Sequence, residues 1–309
     1  MSKQSCSTVM MIRPAHFGFN EETAANNYFQ DVEARRVLQQ ASEKARAEFD
    51  AFVDQVSEKG IEVLVFEDTI DPRKPDAVFP NNWISLHDTG QLITYPMCAV
   101  SRRPERRMDI IQYFIDTYAV ESYVQLEGAE DSGAYLEGTG SMILDRDHKI
   151  AYACRSARTD EALFRSFCSQ MGYWPVVFDA VDASKQPIYH TNVIMSVGIE
   201  WVVLCLEAIP EGTEKQQLLQ SIANSGKTLV EISLDQVNQF AGNILQVLNK
   251  KEELFLIMSD TAFNSLKSEQ REILFGDAEP IVVKIPTIER LGGGSARCML
   301  AEVFLSPNS

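Results

Sequence analysis

A unit of strand, strand, helix, strand recurs along this chain, and that repeat restricts its folding more than any other feature. A single unit leaves apolar faces and strand edges uncovered, so it must pack against copies of itself. The plainest copy reads NVIMSVG from Asn192, WVVLCL, an amphipathic helix from about Thr213 to Ala223, and TLVEISL. The next reads NILQVLN from Asn243, ELFLIMS, a helix from about Thr261 to Leu274, and PIVVKI. An earlier copy has GSMILD, KIAYAC, a helix from about Thr159 to Gln170, and WPVVFD. Before it come AVFPNNWISLH, QLITY, a helix starting near Pro104, and SYVQLE. Strands are read from short runs of Val, Ile, Leu and aromatics bounded by Gly, Asp or Asn. Helices are read from apolar residues at helical spacing, with Thr159, Thr213 and Thr261 as candidate N-caps.

The first unit is one strand short. VMMIRP gives a strand, Val32 to Ser57 a long helix, and IEVLVF a closing strand. The C-terminal run CMLAEVFL, from Cys298, is a strand with no helix after it. Pairing the two ends supplies the missing strand and closes a ring, which removes exposed edges. No Pro-, Gly- or Ser-rich linker divides the 309 residues, so one domain of five pseudo-repeats is expected over 1–309.

The repeat also predicts which residues meet. Asn82, Glu137, His190, Asn243 and Cys298 are separated by 55, 53, 53 and 55 residues, each near the start of a unit's first strand. In a closed ring such positions converge on the axis. Three of them form a chemical set. A Cys attacks as its thiolate, a His takes and returns protons near neutral pH, and a carboxylate orients the His or bonds a substrate N–H. Cys298, His190 and Glu137 are therefore the candidate catalytic residues. The run Gly292 to Gly294, just before Cys298, is costly in backbone entropy. It suits a chain that approaches something closely or delivers the nucleophile on a loop. Asn243 sits after Gly242, a common turn pair, and reads as the start of a strand with no chemical role.

Charge and composition remove other function classes. With 28 Lys and Arg against 44 Asp and Glu, the net charge is −16, which disfavours nucleic acid and anionic lipid. The longest strongly apolar run, Trp201 to Leu206, falls far short of the about 20 residues of a membrane span. MSKQSCSTVMMIRP has one Lys and too short an apolar stretch for a secretory signal, so a cytoplasmic, soluble protein is expected. None of the six cysteines forms a CxxC pair and the four histidines lack ligand spacing, so neither a disulfide framework nor a metal is expected. Cys154 and Cys205 lie inside strand-like runs and read as buried small hydrophobes. A P-loop and a dinucleotide fingerprint are missing, and GTGSM from Gly138 is too short a glycine pattern to invoke a nucleotide. No cofactor is expected. The oligomeric state, homo-oligomer included, is left open.

LEGTGSMILDR around Glu137, PIYHTNVIMSVG around His190 and GGGSARCM around Cys298 resemble three characteristic segments of the guanidino-group modifying superfamily. MMIRPAHFGFN, PDAVFPNNWIS and SARTDEAL also resemble family segments, so the likeness covers nearly the whole chain. The resemblance implies an α/β fold, the five-bladed α/β propeller known as the pentein fold. It implies a cofactor-independent enzyme of the arginine deiminase and amidinotransferase type, most similar to the subgroup containing citrulline-hydrolysing enzymes, with a small-molecule amino-acid substrate as partner. Cys298 would attack the central carbon of a guanidino or ureido group, His190 would protonate the leaving amine and activate water, and Glu137 would position His190. Arg158 and Arg102 would pair with the substrate carboxylate, and Asn81, Asn82 and Asn192 would contact the substrate. Deiminases usually carry Asp at position 82 and at position 192, where this chain has Asn82 and Asn192. An amide suits a neutral ureido carbonyl better than a buried cation. Transfer of an amidino group to an amine, or a binding protein without activity, are the alternatives.

Overall fold

A computed structural model describes residues 4–27, 29–30 and 38–308. Fifteen strands form five three-stranded sheets among the described residues. The first sheet contains β1 (Thr8–Arg13) and β2 (Glu62–Glu67). The second has β3 (Ile84–Leu86), β4 (Gln91–Thr94) and β5 (Ser122–Gln125). The third has β6 (Met142–Asp145), β7 (Ile150–Cys154) and β8 (Trp174–Phe178). The fourth has β9 (Met195–Val197), β10 (Trp201–Leu204) and β11 (Thr228–Glu231). The fifth has β12 (Leu245–Leu248), β13 (Leu254–Ser259) and β14 (Ala278–Val283). The short strand β15 (Ala301–Glu302) completes the first sheet, pairing antiparallel with β1 through Val9–Glu302 and Met10–Ala301.

Every sheet repeats one pattern: the middle strand is antiparallel to one neighbour and parallel to the other. A parallel neighbour needs a crossover, and a helix supplies it each time. These are α1 (Leu38–Glu58), α2 (Met108–Thr117), α3 (Glu161–Met171), α4 (Thr213–Asn224), and the pair α5 (Asp260–Ser265) and α6 (Ser268–Leu274). Their buried residues follow the helical stripe: Ala41, Ala45, Phe49, Phe52 and Val56 on α1, Phe164, Phe167 and Cys168 on α3, Leu218 and Ile222 on α4. These stripes cover one face of each sheet, and Cys154 and Cys205 lie buried in the core as their apolar surroundings suggested. No helix among the described residues is long and apolar enough to cross a membrane.

Positions 32–37 of the expected first long helix lie outside the described residues, and the described part runs Leu38–Glu58. Several other expected elements shift. The helix expected from Thr261 to Leu274 breaks between α5 and α6 at Leu266, whose backbone is extended. None of the three threonines is an N-cap. Asp160 caps α3 by accepting from the Leu163 N–H at 2.8 Å, and Ser259 caps α5 by accepting from the Ala262 N–H at 3.1 Å. Gly212 precedes α4 with no side-chain cap. Capping needs a side-chain oxygen on the extended residue just before the first turn, and each Thr falls one residue early or inside the helix. Finally, Cys298 is not in a strand. Its backbone N–H bonds Ser295 O at 2.9 Å, closing a 3-10 turn over Ala296–Met299 ahead of β15.

Candidate active site

The five equivalent positions all lie in or beside the segment that leads into a sheet's antiparallel outer strand. Asn82 ends the 3-10 turn Pro80–Asn82 before β3. Glu137 precedes the helical turn Gly138–Ser141 before β6, and His190 precedes Thr191–Val193 before β9. Asn243 sits two residues before β12, and Cys298 lies in the turn before β15. Close turns let these residues approach. A Cβ on Gly138, whose φ is +47°, would lie 2.3 Å from the Asn81 carbonyl oxygen. A Cβ on Gly140 would lie 2.4 Å from Asn82 Nδ2 and 2.8 Å from the His190 ring. The glycines of GTGSM thus serve backbone approach inside the site.

Glu137 is fully buried and heavily engaged. Its Oε2 accepts from His190 Nε2 at 2.8 Å, and its Oε1 accepts from the Cys98 N–H at 3.0 Å. Arg158 Nη1 stands 3.5 Å and Arg102 Nη1 3.9 Å from Oε2. Burial alone would raise this carboxyl, but Arg158, His190 and Arg102 override it and hold it at about 2. His190 goes the other way: burial, helped by the two guanidinium groups, lowers it to about 4 despite Glu137. At neutral pH the pair is a carboxylate and a neutral imidazole. With Nε2–H given to Glu137, Nδ1 is the ring's acceptor.

Cys298, 5% exposed, carries two amide donors on its sulfur. Asn243 Nδ2 lies 3.1 Å and Asn192 Nδ2 3.4 Å from Sγ. Cys298 lines a pocket whose walls also include Thr23, Asp76, Asn82, Arg102, Arg158 and His190. Of the expected site residues, Glu137, Asn81 and Asn192 are buried but are not among those lining this pocket; the Asn81 carbonyl accepts from Thr139 Oγ1 at 3.4 Å.

The adjacent arginines separate clearly. Arg102 points inward, while Arg103 pairs with Glu130 at 3.1 Å and stays 29% exposed. Arg102 spends its donors on protein: Nε and Nη2 on Glu105, Nη1 on Asn82 Oδ1 at 2.8 Å, Nη2 also on the Asp76 and Phe79 carbonyls. Burial pushes Glu105 up to about 7 against the pull of Arg102. Arg158 bonds Asn26 Oδ1 and the Thr23 carbonyl and stacks over Tyr189. The glycine run is packed rather than free: Asn27 Nδ2 donates to the Gly292 carbonyl, Tyr189 Oη donates to the Gly293 carbonyl at 2.7 Å, and a Cβ on Gly292 would meet the Phe79 ring at 2.7 Å.

Sequence reasoning missed Asp76. Its Oδ2 accepts from Asn20 and Thr23, its Oδ1 has no partner among the described residues, and burial raises its carboxyl. It lies in PDAVFPNNWIS, six residues before Asn82, so the segment was visible although the residue's direction was not. Four further buried polar atoms of the expected site residues lack partners among the described residues: Asn81 Nδ2 and Oδ1, Asn82 Nδ2 and Asn192 Oδ1.

Comparison with known proteins bears on the family and the fold. The family model described as "N,N dimethylarginine dimethylhydrolase, eukaryotic" matches residues 13–305. No curated protein sequence matches significantly. Among solved structures, apo ArgZ, an arginine dihydrolase of the ornithine-ammonia cycle in Cyanobacteria, superposes with a TM-score of 0.72 at 15% identity, over 95% of this chain and 40% of that one. The present chain thus spans well under half of full-length ArgZ. The N-terminal domain of ArgZ, in a cysteine-to-serine mutant bound to substrate, gives 0.70 at 14% identity over 96% and 99% of the two chains. A dimethylarginine dimethylaminohydrolase adduct with 4-chloro-2-hydroxymethylpyridine gives 0.63 at 16%, over 97% and 99%. Together with the matched family and the repeated three-stranded sheets, these place the chain in the N,N dimethylarginine dimethylhydrolase family of the pentein-fold, guanidino-group modifying superfamily.

Proposed function

We propose that this chain hydrolyses a C–N bond of a ureido or guanidino amino acid through a covalent Cys298 intermediate, in one catalytic domain over residues 1–309 whose five sheets close as propeller blades. The observation that carries this reading is that Cys298, its sulfur held by two amide donors, and His190, bonded to the buried Glu137, line one pocket. The activities named for the relatives, arginine dihydrolase and dimethylarginine dimethylaminohydrolase, support the same class of bond.

The residues supply every step. As substrate binds, neutral His190 takes the Cys298 proton, and the thiolate attacks the central carbon. The tetrahedral intermediate collapses when His190 returns that proton to the departing nitrogen, leaving the carbon bonded to sulfur. His190 then accepts a proton from water; the resulting hydroxide attacks the same carbon, the C–S bond breaks, and the thiol is restored. Glu137 stays ionised throughout and steadies the transient imidazolium.

A ureido group fits best. Arg102 can only donate, so Asn82 must turn Oδ1 toward it and keep Nδ2 as its free donor. A ureido carbonyl accepts such a donor, whereas a guanidinium offers donors alone. Asp76 Oδ1 then remains to accept a substrate N–H group. A guanidino substrate is the second reading, favoured by the Asp76 carboxylate on the cavity wall.

Purified protein and Cys298→Ala should be given citrulline, arginine, agmatine and dimethylarginine, with ornithine, citrulline and ammonia quantified. Ornithine from citrulline, lost in the variant, is expected. Undiminished turnover by Cys298→Ala, or no turnover of any ureido or guanidino compound, would overturn the proposal.

A further inference from the structure

We propose that Asn243 stabilises the Cys298 thiolate that forms when His190 takes its proton, with Asn192 as a second and weaker donor. The inference rests on the proposed role of Cys298 as nucleophile. It assigns a function to a residue that the sequence marked by repeat position alone.

The direction of the Asn243 amide is fixed by partners that cannot exchange roles. The backbone N–H of Cys298 can only donate, and it meets Asn243 Oδ1 at 3.4 Å. The backbone carbonyl of Asn192 can only accept, and Asn243 Nδ2 meets it at 3.1 Å. The two hydrogens of Nδ2 are therefore divided between that carbonyl and the sulfur, 3.1 Å away. Asn243 is 1% exposed, so no water competes for that donor from bulk solvent. Asn192 adds a donor at 3.4 Å, with its own Oδ1 unpartnered among the described residues. Hydrogen bonds to an ionised acceptor are roughly twice as strong as neutral ones, so donors aimed at sulfur favour S⁻ over S–H.

The charged and titratable groups around the sulfur do not replace this contribution. His190 is neutral in the resting site, so it offers no imidazolium to pair with a thiolate. Arg102 and Arg158 line the same cavity, but their charge is shared with Glu105, Glu137 and Asp76. Tyr189 shares the cavity and is pushed up by burial, so it stays neutral. Arg297, next in sequence, is bound to the Leu300 carbonyl and to Glu302. Asn243 touches the reacting atom itself from a fourth segment of the ring, at the repeat position shared with Glu137 and His190.

The test reads the thiol directly, without substrate. Iodoacetamide alkylation of Cys298 in the full chain is followed across pH by peptide mass spectrometry, for the wild type and for Asn243→Leu, which keeps the shape and removes the donor. The half-maximal pH should rise by about one unit or more in the variant, lowering the thiolate fraction near neutrality by about tenfold. Turnover near neutrality should fall in proportion and recover as pH is raised, which a merely structural role would not produce. If Asn243→Leu lacks a cooperative unfolding transition, Asn243→Ser takes its place with the same expectation, being small and too short to reach Sγ. An unchanged alkylation midpoint in a folded variant would overturn the inference. That outcome is separable from failure of the proposed function, in which the wild type turns over no ureido or guanidino compound while the alkylation shift persists.

Discussion

The neutral, buried His190 makes a quantitative demand on the pH dependence of folding. Its native value of about 4 lies below the 6.5 of an exposed imidazole because burial penalises the cation more than Glu137 rewards it. As pH falls below about 6.5, the unfolded chain binds a proton at this position that the native state refuses. Stability contributed by this group is therefore present above pH 6.5 and is lost as pH falls toward 4. Integrating the linkage from about pH 7.5 to about pH 5 gives a loss of about 2 kcal/mol for this single residue. Glu137 contributes little in that window, since native and unfolded carboxyls are both largely ionised there. His87 adds a loss of the same sign, as burial and Arg146 lower its value too. The perturbation is His190→Gln, which removes the titration but keeps an amide that can face Glu137. Urea unfolding at the two pH values, with His87→Gln as a parallel variant, measures the difference. The wild type should lose about 2 kcal/mol more than His190→Gln over this interval. Equal losses in the two proteins would refute the reasoning, because they would mean that His190 takes up its proton in the native state at an ordinary pH.

Three other outcomes follow from the site's packing and charge. Gly140→Ala should destabilise the fold by about 1–3 kcal/mol and depress turnover, because the new methyl would collide with Asn82 and His190; unchanged melting and kinetics would contradict the close approach. Glu105→Gln should cost about 3–5 kcal/mol in denaturant unfolding, since both ends of the Arg102–Glu105 pair are buried and the guanidinium loses its bidentate partner. Asn82→Asp should shift the ratio of ureido to guanidino turnover toward the guanidino compound, because a carboxylate replaces the amide donor; an unchanged ratio in a substrate panel would remove Asn82 from specificity.

The sheet order was readable because each strand carries its own local signal, a short apolar run ended by a turn residue, and the same order recurs. Repeat phase then identified positions that meet without any knowledge of contacts: Glu137 and His190 are 2.8 Å apart though 53 residues separate them. What was not readable depends on rotation and on single bonds. Arg102 and Arg103 are adjacent and chemically identical, and only the turn over Val100–Glu105 decides which one is buried. The N-caps failed for a related reason: Asp160 and Ser259 win over neighbouring threonines through the extended backbone at one position, which composition does not record. Asp76 escaped because a loop aspartate usually reads as solvated, whereas here Asn20 and Thr23, more than fifty residues upstream, cover it.

The same repeat explains why this site tolerates so much buried charge. Five turns leading into five sheet edges bring side chains together from sequence positions that are independent of one another, so each group can be given partners from another segment. Glu137 is compensated by arginines from two other segments, and Arg102 by Glu105 on its own turn and Asp76 on the loop before. A buried ion held by partners on one helix would be lost with that helix; here the partners come from separate segments of the chain. Removing one charge therefore leaves several others unbalanced at once, so double variants across these contacts should be strongly non-additive. The sulfur stands apart from this network. Its nearest donors are the neutral amides of Asn243 and Asn192, which can favour the thiolate as His190 takes its proton while leaving the arginines committed to Glu137, Glu105 and Asp76.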